Sequence, residues 1–248
     1  MVSSIVFHYI KYMVFKDKIR EVLITEIKFL VFKPVRPDFI NLGNYYLAFG
    51  VLTAWLAGVG RYWDNPRAEL WQYFGLGSLA YILILALILW LLIKPLRPEN
   101  WSYKGVLTFV GMTSPPAILY AIPVERFFSL STASTMNIWF LAIVAIWRVA
   151  LYFRYLKYSA KLSGVTIVIA LLLPLVLIIA SLTFLNLEHV IFRIMAGLRE
   201  DEKTANDAAY YILVAITFFS TYVAPFLLLG YLGVIIKKWK DAKDKVVK

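Results

Sequence analysis

The stretch IWFLAIVAIWRVALYF, residues 138–153, decides what kind of protein this is. Every position except Arg148 is apolar or aromatic, and the flanks extend the run toward the ~20 residues that carry a helix across a ~30 Å hydrocarbon core. A guanidinium does not give up its charge. Arg148 must therefore reach the phosphate layer or find acceptors on neighbouring helices.

The rest of the chain fits that reading. Of 248 residues, 61% are hydrophobic and only 17% charged, whereas soluble domains carry about a quarter charged residues. Apolar runs at residues 42–60, 70–93, 106–122, 136–156, 165–185 and 208–236 predict six spans. The expected fold is all-α: a polytopic helical bundle of about six transmembrane helices. Its three parts are a cytoplasmic amphipathic segment (1–41), the membrane domain (42–236) and a basic tail (237–248).

Charge sets the orientation. The chain has 26 Lys and Arg and a formal charge of +11. An even span count puts both termini on one side. That side collects seven cations from residues 1–41, three from 94–105, three from 154–164 and six from the tail, against six on the other side. Only Arg148 lies in between. Basic loops stay cytoplasmic, so both termini are expected in the cytoplasm, at an inner membrane whose anionic lipids meet this face. The cations are too dispersed for nucleic-acid binding. No basic n-region precedes the first apolar residues, so a signal peptide is not expected.

Ahead of the first span, Ile5, Tyr9, Tyr12 and Met13 share one helical stripe, and Leu23, Ile27, Leu30 and Val31 share another, with Glu21, Glu26 and Lys28 turned away. Both segments predict helices lying in the membrane interface, or faces for a soluble partner. A third such helix is expected at 187–198 in the long outer loop, with Thr204 or Asn206 capping the sixth span. His189 in that loop reads as a packing residue.

Two short motifs match. FKPVRPDF (32–39) and IKPLRPEN (93–100) share Lys-Pro-x-Arg-Pro-acid, each after an apolar helical run. Proline stops the helix, and Lys33, Arg36, Lys94 and Arg97 anchor those ends among lipid phosphates. A paired phosphate or partner site made by the two turns is the sharper alternative.

Much chemistry is missing from the sequence. The chain has no cysteine and two histidines, no phosphate-binding or dinucleotide fingerprint, and no hydrolase motif. No carboxylate falls inside a predicted span, which argues against proton- or sodium-driven transport. No enzymatic activity, cofactor or metal is expected. Proline is what the spans do contain: Pro115 and Pro116 in the third, Pro174 in the fifth, Pro225 in the sixth. Each removes a helical donor and frees a carbonyl one turn earlier. The freed groups at Gly111, Met112 and Ala170 lie near the depth of Arg148, about two turns from the cytoplasmic end or ~9–12 Å. Arg148 is therefore expected to pin the fourth helix to the third or fifth through one of them, or to snorkel. GMTSPP (111–116), with Thr113 and Ser114 beside the prolines, is the best place for a solute path.

The fourth and fifth spans, NIWFLAIVAIWRVAL, a basic KYSAKLSG junction and then VTIVIALLLPLVLIIASL with its central proline, resemble the Yip-type family of small polytopic membrane proteins. The resemblance covers roughly residues 70 to 185. It implies a non-catalytic helical domain with a role in membrane organisation or trafficking, and supplies no catalytic residues. The expected function is a scaffold, organising or regulatory component acting through its basic cytoplasmic face, with a protein partner or a second copy of the chain. A channel or transporter for an uncharged or anionic solute, and a membrane-permeabilising effector, are the alternatives.

Overall fold

The computed structural model describes residues 2–34, 43–63, 68–185 and 208–246. The helix expected at 187–198, His189, Thr204, Asn206 and Arg36 lie outside these residues. What is described is helical, without a strand. The helices are α1 (Val2–Leu30), α2 (Gly43–Tyr62), α3 (Leu70–Tyr73), α4 (Leu76–Ile93), α5 (Tyr103–Met112), α6 (Leu130–Tyr158), α7 (Gly164–Phe184) and α8 (Ala208–Val246). Shorter 3-10 segments occupy Lys94–Leu96, Pro115–Ala121 and Val124–Arg126.

Four helical stretches are long and apolar enough to cross a membrane: Leu76–Leu96, Thr135–Tyr158, Gly164–Phe184 and Val214–Asp241. They coincide with the second, fourth, fifth and sixth expected spans. The third is not one helix. α5 ends at Met112, and the chain continues as a 3-10 segment from Pro115, because two adjacent prolines remove two consecutive helical donors. The first is a helix of 20 residues, diluted by glycine, tyrosine and asparagine below the hydropathy of the other four. A single proline is tolerated, since Pro174 and Pro225 both stand inside continuous helices. α8 runs on through the expected tail to Val246.

Contacts divide the chain into two compact units, residues Met1–Ala86 with Tyr103–Ala121, and Leu87–Ser102 with Ile122–Lys248. In the first, α2 and the 103–121 segment run parallel along their full lengths. Lys104 donates to Asn44 Oδ1 at 2.6 Å at one end, and Trp63 Nε1 donates to the Ala121 carbonyl at 3.2 Å at the other. Between them Gly50 meets Gly111, so closely that a Cβ on Gly50 would lie 2.7 Å from the Gly111 carbonyl carbon. Gly50, Ala54 and Gly58 are all buried at the four-residue spacing by which small residues let helix backbones approach. That signal is plain in GVLTAWLAG (50–58), and the hydropathy reading passed over it.

In the second unit, Ser129 caps α6 by accepting from the Thr132 amide at 3.4 Å. α6 and α7 form an antiparallel hairpin around a tight corner at 159–163. α8 leans on α7 at Gly230, where a Cβ would stand 3.4 Å from Ile169 Cδ1. Even in α7, the best covered of the four, only 33% of the spanning stretch is buried. The remaining apolar surface suits lipid.

Candidate functional site

The proline break in the 103–121 segment is the first place to look for a solute path. Thr113 and Ser114 are both buried there. Thr113 Oγ1 donates to the Val110 carbonyl at 2.7 Å, and Ser114 Oγ to the same oxygen at 3.4 Å. The Ser114 amide donates to the Gly111 carbonyl at 2.9 Å. The backbone group released at Gly111 by Pro115 is thus re-satisfied locally, as a low-dielectric setting demands. Val106, Val110, Met112 and Ala117 are buried around them. The hydroxyls serve the broken backbone.

The carbonyl released by Pro174 is also used. Tyr152 donates its hydroxyl to the Ala170 oxygen at 3.0 Å, and Tyr152 is 6% exposed. α6 is therefore pinned to α7 through the proline-freed group. The donor sits one turn beyond Arg148, which is half-buried on the same helix. Tyrosine delivers a neutral donor at that depth and avoids the cost of desolvating a guanidinium.

The two Lys-Pro-x-Arg-Pro motifs are entered differently, as far as the described residues of the first, Lys33 and Pro34, reach. At the first, α1 stops in a left-handed turn at Phe32 (φ 59°), with the Lys33 amide donating to the Lys28 carbonyl at 2.8 Å and Phe32 to Phe29 at 3.1 Å. Lys33 is exposed just beyond. At the second, Lys94 and Pro95 lie inside a 3-10 turn, and the left-handed residue is Arg97 (φ 52°).

The second turn gathers three helix ends. Lys238 of α8 donates to the Leu96 carbonyl, Arg97 Nη1 donates to the Lys238 carbonyl at 3.3 Å, and Tyr231 donates to the Leu92 carbonyl at 2.8 Å. Lys94 Nζ lies 4.6 Å from the Trp90 ring centre, and the Arg97 guanidinium 5.8 Å from that of Trp239. On its other side the turn meets the α6–α7 corner. The Glu99 amide donates to the Ala160 carbonyl at 3.0 Å, and the Glu99 carboxylate pairs with Lys161 at 2.6 Å. That pair is exposed and contributes little by itself. Collectively the contacts hold the ends of α4, α6 and α8 at one level, with the cations of all three around them.

The feature with the least precedent in the sequence lies on α1. The face carrying Ile19, Leu23, Ile27 and Val31 is exposed, whereas Val22 and Glu26 are 3% and 2% exposed. Glu26 lies off the apolar stripe, as its spacing predicts, and that other face is the one that meets the rest of the chain. α1 packs through the stripe Val22, Glu26 and Phe29 onto α2 and α5. Val22 clusters with Tyr46 and Met112, and the Phe29 ring meets Phe109 edge-on at 6.2 Å. Neither oxygen of Glu26 has a hydrogen-bond partner among the described residues. Burial alone pushes its carboxyl up to about 8.

Among the described residues, no group of three or more His, Cys, Asp or Glu comes together as a metal site would need. A helical chain with four apolar helices of membrane-crossing length, their ends tied by a basic turn, has the build of a multi-pass membrane protein. No family model, curated protein or solved structure matches it, and the Yip-type likeness rests on the quoted residues alone.

Proposed function

We propose that this chain is a multi-pass protein of the cytoplasmic membrane that acts without catalysis, as a scaffold, organising or regulatory component working through its basic cytoplasmic face. The observation that carries this reading is the 94–101 turn, which holds three cationic helix ends at one level. In this arrangement α2 and the broken 103–121 segment complete six crossings with both termini inside. Their parallel course supports it, because the first and third crossings of an alternating chain run the same way. α1 lies along the inner interface with its exposed apolar stripe in lipid. Against a solute path stands the use of the Thr113 and Ser114 hydroxyls by the Val110 carbonyl.

The test is lipid retention. Purified in nanodiscs of mixed composition, the protein should enrich anionic over zwitterionic lipid. Replacing the exposed Lys237, Lys240 and Lys243 together by Gln should reduce that enrichment several-fold without unfolding the bundle. Equal retention of both lipid types by the parent protein would overturn the reading.

A further inference from the structure

We propose that Glu26 is a proton-binding site that governs the docking of α1: the helix packs on α2 and α5 with this carboxyl protonated, and losing the proton releases it. The inference does not depend on the scaffold role; it shares with the reading above only the placement of α1 in the membrane interface. It stands first on placement. Glu26 is 2% exposed, with both oxygens unpartnered among the described residues, between Val22 and Phe29 on the packing stripe.

A carboxylate so placed has no compensation, and an ionised group in such surroundings neutralises. The charged and titratable groups around the junction do not supply a counter-charge. On α2, Tyr45 and Tyr46 line it, and the Tyr45 ring is covered by Lys18 Nζ of α1 at 5.4 Å. On α5, Lys104 donates to Asn44. On α1 itself, Arg20, Glu21 and Lys28 are exposed. None of these makes a hydrogen bond or ion pair with the Glu26 carboxyl. The raised affinity for a proton agrees with this placement.

The second support is the contrast between the two faces of α1. Ile27 at 62% exposed and Val31, just past its end, at 52% face away from the protein. Lipid takes that stripe, and the face left to meet the protein carries a carboxyl between Val22 and Phe29, so the attachment depends on the charge state of that group. Released, α1 keeps its apolar stripe in the interface, and the release costs little beyond the Val22 and Phe29 contacts.

The absence of cysteine from the chain gives a clean test. Dicyclohexylcarbodiimide attacks protonated carboxyls in apolar surroundings, and mass spectrometry locates the adduct. In the full-length protein in nanodiscs, Glu26 should be labelled at pH 6, with labelling lost through a midpoint near 8. In parallel, maleimide reaction of Val22→Cys should rise more steeply above pH 8 than in the same variant carrying Glu26→Gln, which mimics the protonated form and stays docked. Three results would overturn the proposal: no adduct at Glu26 while other carboxyls react; a midpoint in the ordinary carboxylate range; or identical maleimide profiles with and without Glu26→Gln. Protection of Glu26 from the carbodiimide by sodium at fixed pH would also overturn it, assigning the site to a metal cation.

Discussion

At the scale of single residues, three positions carry most of what is specific here. Glu26 ties stability to pH with a defined sign. Its carboxyl holds a proton more tightly in the folded chain than in the unfolded one, so its contribution is complete below the ordinary carboxylate range. That contribution is lost as pH rises toward 8 and level above it. Thermal unfolding in detergent at pH 5 and pH 9 should show the native protein losing stability relative to Glu26→Gln, by at most about 5 kcal/mol. A constant difference between the two proteins would contradict this. Tyr152 offers a sharper experiment. Tyr152→Phe strands the Ala170 carbonyl and should cost about 0.6–2 kcal/mol. Pro174→Ala restores an amide that can reach that carbonyl, so Tyr152→Phe in the Pro174→Ala background should be nearly neutral. A double-mutant cycle of stability measures the coupling directly. At Gly50, substitution by Ala drives a Cβ into the backbone of Gly111 and should destabilise by about 1–3 kcal/mol.

Elements show where a sequence reading by hydropathy holds and where it stops. α4, α6, α7 and α8 were legible because each contains an uninterrupted apolar run, and helix is the form in which such a run satisfies its backbone in lipid. The 103–121 run is apolar too, yet paired prolines divide it into an α-helix and a 3-10 segment. Hydropathy is blind to missing amides. The prolines themselves were the readable warning. For α1 the helical wheel showed which residues share a face, and Val22, Glu26 and Phe29 do fall at i, i+4 and i+7. It could not show which face meets the rest of the chain, since apolar surface is equally welcome against lipid or protein. Arg148 and Tyr152 differ by one turn of the same helix. The freed carbonyl was predictable from Pro174, but its donor depended on the register between α6 and α7. The 94–101 turn was legible as a helix stop, and its contacts with α8, more than a hundred residues away, were not. Arg97→Ala removes a hydrogen bond and a ring contact from that junction. Proteolysis in nanodiscs should then cut the end of α8 several-fold faster, whereas Lys33→Ala, at a turn of different conformation, should leave the rate unchanged.

For the molecule as a whole, the charge bias and the helix directions make one joint statement about topology. Reporter fusions after Lys248 and within residues 200–206 should give opposite signals, the first cytoplasmic. Two like signals would mean that α8 does not cross and that the span count is wrong. The parallel pairing of those two segments also bears on synthesis. Neighbouring crossings in a chain are antiparallel, so co-directional partners can meet only after the helix between them has been threaded the opposite way. In the six-pass arrangement α2 leaves the ribosome with its Gly50 surface uncovered and must wait in the bilayer for α4 and then for Gly111. A nascent chain arrested near residue 102 would hold an α2 still lacking its partner, the stage at which quality-control proteases or an insertion chaperone could recognise it.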